Sequence, residues 1–277
     1  MREREIRSFA LTLFEGGEYY RSITEAKRYI FLFSDGKDVS EMYEFIGDSY
    51  LMAQEWEDGA NAYEEFLKKF PNSPRKNNAL FSKAVCLVKL KKFKEAEDTF
   101  QEIIDSDLAD KKREALLWKI VLLIRENKFE EVEKALGVEA DKKKISIDAP
   151  AVRRITNLKR EREYKSPKQA AFMSALLPGS GQAYVGRYKD AAHSFILNAL
   201  FIAGAIWACD DGNYALGGIL ILFEAGWYTG NIYGAANAAH KYNRKIDDDV
   251  RKISTHTFGL DEYEIRKTPK ASIIFRF

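Results

Sequence analysis

Two cysteines, Cys86 and Cys209, stand in a chain of 277 residues. They supply neither a disulfide framework nor a CxxC or Cys/His zinc spacing, and Cys86 falls on an apolar helical face where an inert buried thiol is expected. Histidine is almost as scarce, and His193, His240 and His256 are too scattered to suggest a ligand set. GxxxxGK[ST], HExxH and GxSxG are all missing. Gly179-Ser180-Gly181 is no phosphate loop, because its spacing to Gly186 is wrong and no strand pattern precedes it. The expectation is a protein without catalytic, cofactor-binding or metal-binding residues, and not an enzyme. Net charge is also small: 44 Lys and Arg against 42 Asp and Glu give +2, which predicts no bulk attraction to nucleic acid or acidic substrates. Long uncharged runs are absent from the first 165 residues, which are dense in Lys and Glu. Between Ala170 and Ala239, by contrast, the charged residues are Arg187, Lys189, Asp190, Asp210, Asp211 and Glu224 alone. A change of that size marks a domain boundary.

What is present first is a repeat. Tyr19, Trp56, Phe93 and Phe129 align with separations of 37, 37 and 36 residues. Nine residues before each stand Ala10, Gly47, Ala84 and Ile120; three after stand Ser22, Gly59, Ala96 and Val132. Seven after come Ala26, Tyr63, Phe100 and Leu136, and ten after come Tyr29, Phe66 and Ile103. Small residues on two successive helices let them approach, and the aromatics fill the groove to the next pair. Pro71 and Pro74 close the second repeat, as proline does beyond a helix end. This pattern resembles the tetratricopeptide repeat, slightly lengthened. It implies a solenoid whose stacked units form one cooperative domain over 1–145, with a concave face suited to a protein partner. The fourth repeat departs from the pattern, and Gly137 is expected to end its second helix early. A basic linker helix is expected over 146–165, with Ser166-Pro167 starting the next helix.

The second organising feature is Ser174–Arg187, SALLPGSGQAYVGR. Pro178 cannot continue a helix, and glycine permits backbone angles closed to other residues, so a sharp bend is expected between apolar elements. Ala191–Cys209 follows with 19 residues free of formal charge. Asp210-Asp211-Gly212-Asn213 is a turn, and Tyr214–Ala239 carries one charge, Glu224. The lengths suit two membrane-spanning helices, although ionised Glu224 at mid-depth would cost about 2.5 kcal/mol or more. Gly226, Gly230, Gly234 and Ala238 recur at every fourth position, the small-residue strip that lets membrane helices touch. Glu224, Tyr228 and Asn231 lie on a neighbouring face, where pairing with Asn198 or His193 of the first span is expected. Beyond a polar helix, Tyr263–Arg266 and Ser272–Phe277 suggest a β-hairpin in the 246–277 tail.

Pro178, Gly179, Gly181, Gln182, Tyr184 and Gly186 resemble the P-G-x-G-Q-x-Y-x-G signature of a small bacterial membrane hairpin domain, loosely of the TM2 type. Phe223–Arg244 looks like the second-helix signature of the same envelope family, in which a repeat domain precedes the hairpin, here 166–245. The resemblance implies an envelope role, a cleaved leader and a periplasmic repeat domain, and supplies no catalytic residue. The chain opens Met1-Arg2-Glu3-Arg4-Glu5 with helical periodicity beginning at once. That is expected either of a protein made without a leader or of one truncated before its first repeat. Arg187, Lys189, Lys241, Arg244 and Lys245 flank the spans on one side and Asp210 and Asp211 lie on the other. The positive-inside rule would place the repeats in the cytoplasm, and the resemblance in the periplasm, the side preferred here.

The expectation is thus an all-α protein: a tetratricopeptide-like solenoid, a membrane hairpin and a short β-hairpin. Its expected role is a membrane-anchored scaffold of the bacterial envelope, concerned with membrane protein assembly. Protein, lipid and a second copy meeting at the glycine strip are the expected partners; nucleic acid is not. The alternatives are a transport or insertion component using Glu224 and the glycine strip, and a soluble helical-repeat adaptor.

Overall fold

The computed structural model describes residues 3–260, and every regular element among them is helical. The β-hairpin expected over 263–277 lies outside the described residues. The chain forms two compact units, one from the residues up to Thr156 and from Ile253 on, the other from Asn157–Lys252.

The first unit contains four helix pairs: α1 (Glu3–Glu15) with α2 (Tyr19–Leu32), α3 (Val39–Met52) with α4 (Trp56–Lys69), α5 (Lys76–Lys89) with α6 (Phe93–Asp105), and α7 (Lys112–Arg125) with α8 (Phe129–Lys134). Each helix from α1 to α8 packs on the next, which is the arrangement of a solenoid. The four aligned aromatics are the first residues of α2, α4, α6 and α8. The turn within each pair has one geometry. Gly17, Gln54, Lys91 and Asn127 adopt left-handed φ angles of 78°, 62°, 62° and 59°. The next amide then reaches back five residues, Glu18 to Leu13, Glu55 to Tyr50, Lys92 to Leu87 and Lys128 to Leu123, at 2.8–3.0 Å. This is the Schellman closure, which satisfies carbonyls that the ended helix leaves open. Only the first turn uses glycine. The other three carry side chains in a conformation that costs about 1–2 kcal/mol.

The repeat positions form the core. Ala10, Ala84, Ala96, Ala26, Tyr63, Phe100, Tyr29, Phe66 and Ile103 are fully buried. Gly47 is small for a visible reason: a Cβ there would stand 2.6 Å from the Tyr63 ring. In the fourth repeat, Ile120 and Val132 are equally buried. Gly137 does not end the helix there, contrary to expectation. α8 runs through a π-helical turn, Ala135–Glu139, into α9 (Ala140–Lys143), and the basic helix α10 (Ala149–Arg160) follows. The wider turn keeps Ala135, Leu136 and Ala140 all buried, which an α-helix of the same sequence would rotate apart. Lys119 Nζ holds Glu139 at 2.9 Å, and Lys143 holds Asp105 at 2.8 Å.

A small polar cluster interrupts the array between α3, α4 and α5. Tyr63 OH donates to Asp48 Oδ1 at 2.6 Å, and Arg75 pairs with Glu44 at 2.9 Å. Loss of solvation, then the neighbouring Glu44, push the Asp48 carboxyl up to about 7, against the Tyr63 hydrogen bond and Arg75. Burial pushes the nearby Cys86 thiol up to about 12, so that it stays protonated and inert.

Two outcomes follow from this geometry. Lys91→Gly relieves the left-handed backbone and should stabilise the protein by about 0.5–1 kcal/mol in chemical denaturation, the usual glycine entropy cost being smaller than the strain removed. A raised carboxyl pKa contributes stability below its unfolded value and loses it as pH climbs through the folded value. Asp48→Asn keeps the acceptor for Tyr63, so its advantage over the native chain should grow from about nil at pH 4 to about 1–2 kcal/mol at pH 8, allowing for solvent on one side of the carboxyl. A pH-independent difference would refute that account.

Candidate functional site

The second unit is organised by the bend that the sequence places at Pro178. α11 (Pro167–Leu176) begins with Ser166, whose side chain accepts from the Gln169 amide, and proline occupies the first turn where its missing N–H costs nothing. The chain leaves α11 through extended Leu177, turns at Gly179 with φ +90°, and forms the short helix α12 (Ser180–Tyr184). Gly186, φ +79°, closes α12 and leads into α13 (Tyr188–Asp210).

The two inner glycines are there because backbone meets backbone. A Cβ on Gly181 would lie 2.0 Å from the Ala170 carbonyl oxygen, and one on Gly179 would lie 2.3 Å from that of Ala191. Around this contact runs a buried polar relay. Ser174 Oγ accepts from the Gly181 amide at 3.0 Å and donates to Gln182 Oε1 at 2.9 Å. Gln182 Nε2 donates to Asn231 Oδ1 at 2.7 Å and to the Asn231 carbonyl at 3.1 Å. Ser174, Gln182 and Asn231 are all buried. Tyr184 OH accepts from the Ser166 amide and donates to Gln169, while Tyr228 OH donates to the Ala175 carbonyl at 3.0 Å. Asn243 clasps the backbone of Lys165 on both sides, at 2.9 and 2.8 Å. An apolar floor of Ala170, Val185, Ala235, Ala238 and Ala239 lies beneath. Nearby, the buried Lys159 ammonium bonds both Tyr164 and Asp247.

The glutamine of the motif is thus a clamp. It ties α12 to α14 (Tyr214–Thr257), and α14 runs unbroken from the expected second span through the expected polar helix. Ser174, Asn243 and Gly217 join the candidate residues unforeseen. A Cβ at Gly217 would lie 2.4 Å from Cys209 Sγ, so this glycine lets α13 and α14 meet near their turn.

Other expectations on this face do not hold. Asn231 pairs with Gln182 and Tyr228 with Ala175, while Asn198 spends its amide on the Ser194 carbonyl one turn back. His193 is exposed. Glu224 is 9% exposed, and neither of its carboxyl oxygens has a hydrogen-bond partner among the described residues. Asn198 Oδ1 and Asn231 Nδ2 are likewise buried without partners.

The small strip divides. Gly226 and Gly230 meet nothing within 4 Å, Gly234 makes ordinary contact with Gln182, and Ala238 is buried in the floor. The reason is helical geometry: positions four apart advance 400°, or about 40° beyond a full turn. Three steps therefore carry the strip about 120° around α14, from its open side to its packed side. Gly226 and Gly230 do not pack the hairpin helices together as expected; Gly217 does.

Among the described residues α13 is the one helix long and apolar enough to cross a membrane, and 17% of its apolar window is buried within the chain. α14 does not reach that threshold, although two spans were expected. Glycine, asparagine and Glu224 dilute it. Phe195, Ile196, Leu200, Ile206 and Trp207 of α13 are exposed, as are Ile219, Leu222, Phe223 and Trp227 of α14. No three His, Cys, Asp or Glu side chains group closely enough for a metal ion among the described residues.

A family model described as tetratricopeptide repeat matches residues 46–111. The matched stretch runs from the middle of α3 to the turn before α7, so this part of the array is tetratricopeptide-like, a repeat type that generally binds protein partners. No curated protein and no solved structure matches the chain.

Substitutions should sort by this geometry in thermal melts of the full chain in non-ionic detergent. Gly181→Ala forces a side chain into the Ala170 carbonyl and should cost about 3 kcal/mol or more. Gly226→Ala, on an open helix face, should be neutral or stabilising by up to about 1 kcal/mol.

Proposed function

We propose that this protein is a non-enzymatic adaptor anchored to a bacterial envelope membrane, with the tetratricopeptide array holding a protein partner and the hairpin holding the array at the lipid. The observation that carries the reading is the apolar surface of α13, a helix of membrane-spanning length whose large side chains point away from the chain. Contiguous apolar surface of that extent marks a membrane or protein contact. The clamp at Gln182 supports the same reading, because it fixes α11 and α12 against α14 with buried hydrogen bonds and leaves the far side of the hairpin uncovered. In this reading the functional domains are the array over 1–145 and the hairpin over 166–245, joined by the basic helix. Both spans insert as a pair, and α14 crosses with α13 rather than alone. The resemblance of the hairpin to an envelope family favours a periplasmic array and a role in membrane protein assembly. The open glycines Gly226 and Gly230 are where a second copy would meet the chain.

The test is fractionation of the full chain from cells expressing the native gene. It should remain in the membrane pellet through carbonate extraction and require detergent for a monodisperse preparation. A monodisperse full chain without detergent would replace the anchored adaptor by a soluble one. For sidedness, Ser73→Cys in a background lacking Cys86 and Cys209 should react in intact cells with a reagent that crosses only the outer membrane. Protection would place the array in the cytoplasm.

A further inference from the structure

Near their turn α13 and α14 touch through Gly217 and Cys209, and one to two turns on a Cβ at Gly204 would meet Leu220 at 3.5 Å. A cleft of about 900 Å³ opens between them. Ile202, Ile206 and Cys209 line it from α13; Ile221, Ala225 and Tyr228 line it from α14. Two acidic residues complete the wall, Asp210 at the turn end and Glu224 within. Glu224 is nine-tenths buried, and both of its oxygens lack a donor among the described residues. Buried polar groups in native proteins have partners, and one without a partner calls for a reason. Among the described residues no Lys, Arg or His lines the cleft to bring it a counter-charge.

We propose that this cleft binds a small amphiphilic cation, an apolar chain or ring system bearing a primary ammonium or guanidinium group that donates to Glu224. The apolar walls need an apolar body, and the unsatisfied carboxyl needs N–H donors of positive charge, since hydrogen bonds between ionised groups are the strong ones. Asp210 adds the same sign at the mouth and raises the local concentration of cations there. The volume is that of a small-molecule site. The cleft's extent separates this occupant from a partner helix. Its lining runs over Ile202–Asp210 and Ile221–Thr229, about 12 Å of each helix at 1.5 Å per residue. A docked helix would require a groove continuing along the hairpin. The inference goes beyond the adaptor reading and does not depend on the hairpin crossing a membrane.

Cys209 in the cleft wall reports occupancy directly, because Cys86 is fully buried in the other unit. The full chain, in dodecyl maltoside, is alkylated with a neutral maleimide and followed by intact mass. Dodecylammonium, at about four times its Kd, should slow modification of Cys209 about fivefold, whereas dodecanol at the same mole fraction should leave it unchanged. Glu224→Gln should remove the protection. Ile221→Trp, which fills the cleft and keeps the carboxylate, should slow alkylation without ligand and abolish the response to dodecylammonium. It decides the matter if Glu224→Gln fails to fold by circular dichroism. Equal protection by dodecanol would show a merely apolar surface and overturn the proposal. So would an unaltered response in either folded variant. Protection without ligand in a chain that elutes as a dimer would assign the cleft to a second copy and overturn it too.

Discussion

Where the backbone of α12 meets that of α11, there is no room for a side chain. A Cβ at Gly181 would lie 2.0 Å from a carbonyl oxygen, and the rest of the second unit is placed by that contact. The close approach brings the Gly181 amide onto Ser174 Oγ, and Ser174 then turns the Gln182 side chain toward α14. Gln182 reaches Asn231 because α12 sits that low. From the Gly181 amide through Ser174 and Gln182 to Asn231 Oδ1 each donor meets an acceptor, which makes the arrangement worth more as a whole than as separate hydrogen bonds. Among the described residues both Glu224 oxygens, Asn198 Oδ1 and the Asn231 Nδ2 at the end of the relay have no such partner. The hairpin therefore combines a tightly bonded end near Pro178 with an unpaired stretch toward the turn. A binding site belongs in the second.

The repeat array was legible in the sequence because its period is stated redundantly. Small residues, aromatics and helix starts recur with the same spacing, and the left-handed turn residues Gly17, Gln54, Lys91 and Asn127 repeat it again in the backbone. That turn signal was hidden, since three of the four residues are not glycine. At Gly137 the residue type pointed to a helix end, but the burial of Leu136 and Ala140 on either side outweighed it, and the chain absorbed the conflict as a π turn. Local preference lost to packing, as it usually does when the two disagree.

In the hairpin unit the bend, the turn and the helix lengths were legible, and the side-chain pairing was not. Pro178 and the glycines announce a tight connection in composition alone. The partner of Gln182 depends on the rotation of α14 about its own axis, which a sequence does not print. The same is true of the small strip. Four small residues at equal spacing look like one face, but on a straight helix they are four different directions. Gly217, outside the strip, proved to be the residue at the helix contact.

The drift of that strip sets the handedness of whatever could follow it. A helix keeping contact with Gly226, Gly230 and Gly234 in turn would cross α14 in the right-handed sense, near −40°, as small-residue strips of this spacing do. α13 faces α14 instead at Gly217 and across the cleft at Glu224, positions seven apart that drift by only about 20° in the opposite sense. The two sides of α14 are thus cut with opposite threads. One helix can carry an internal neighbour and an external one without the two competing for the same turn.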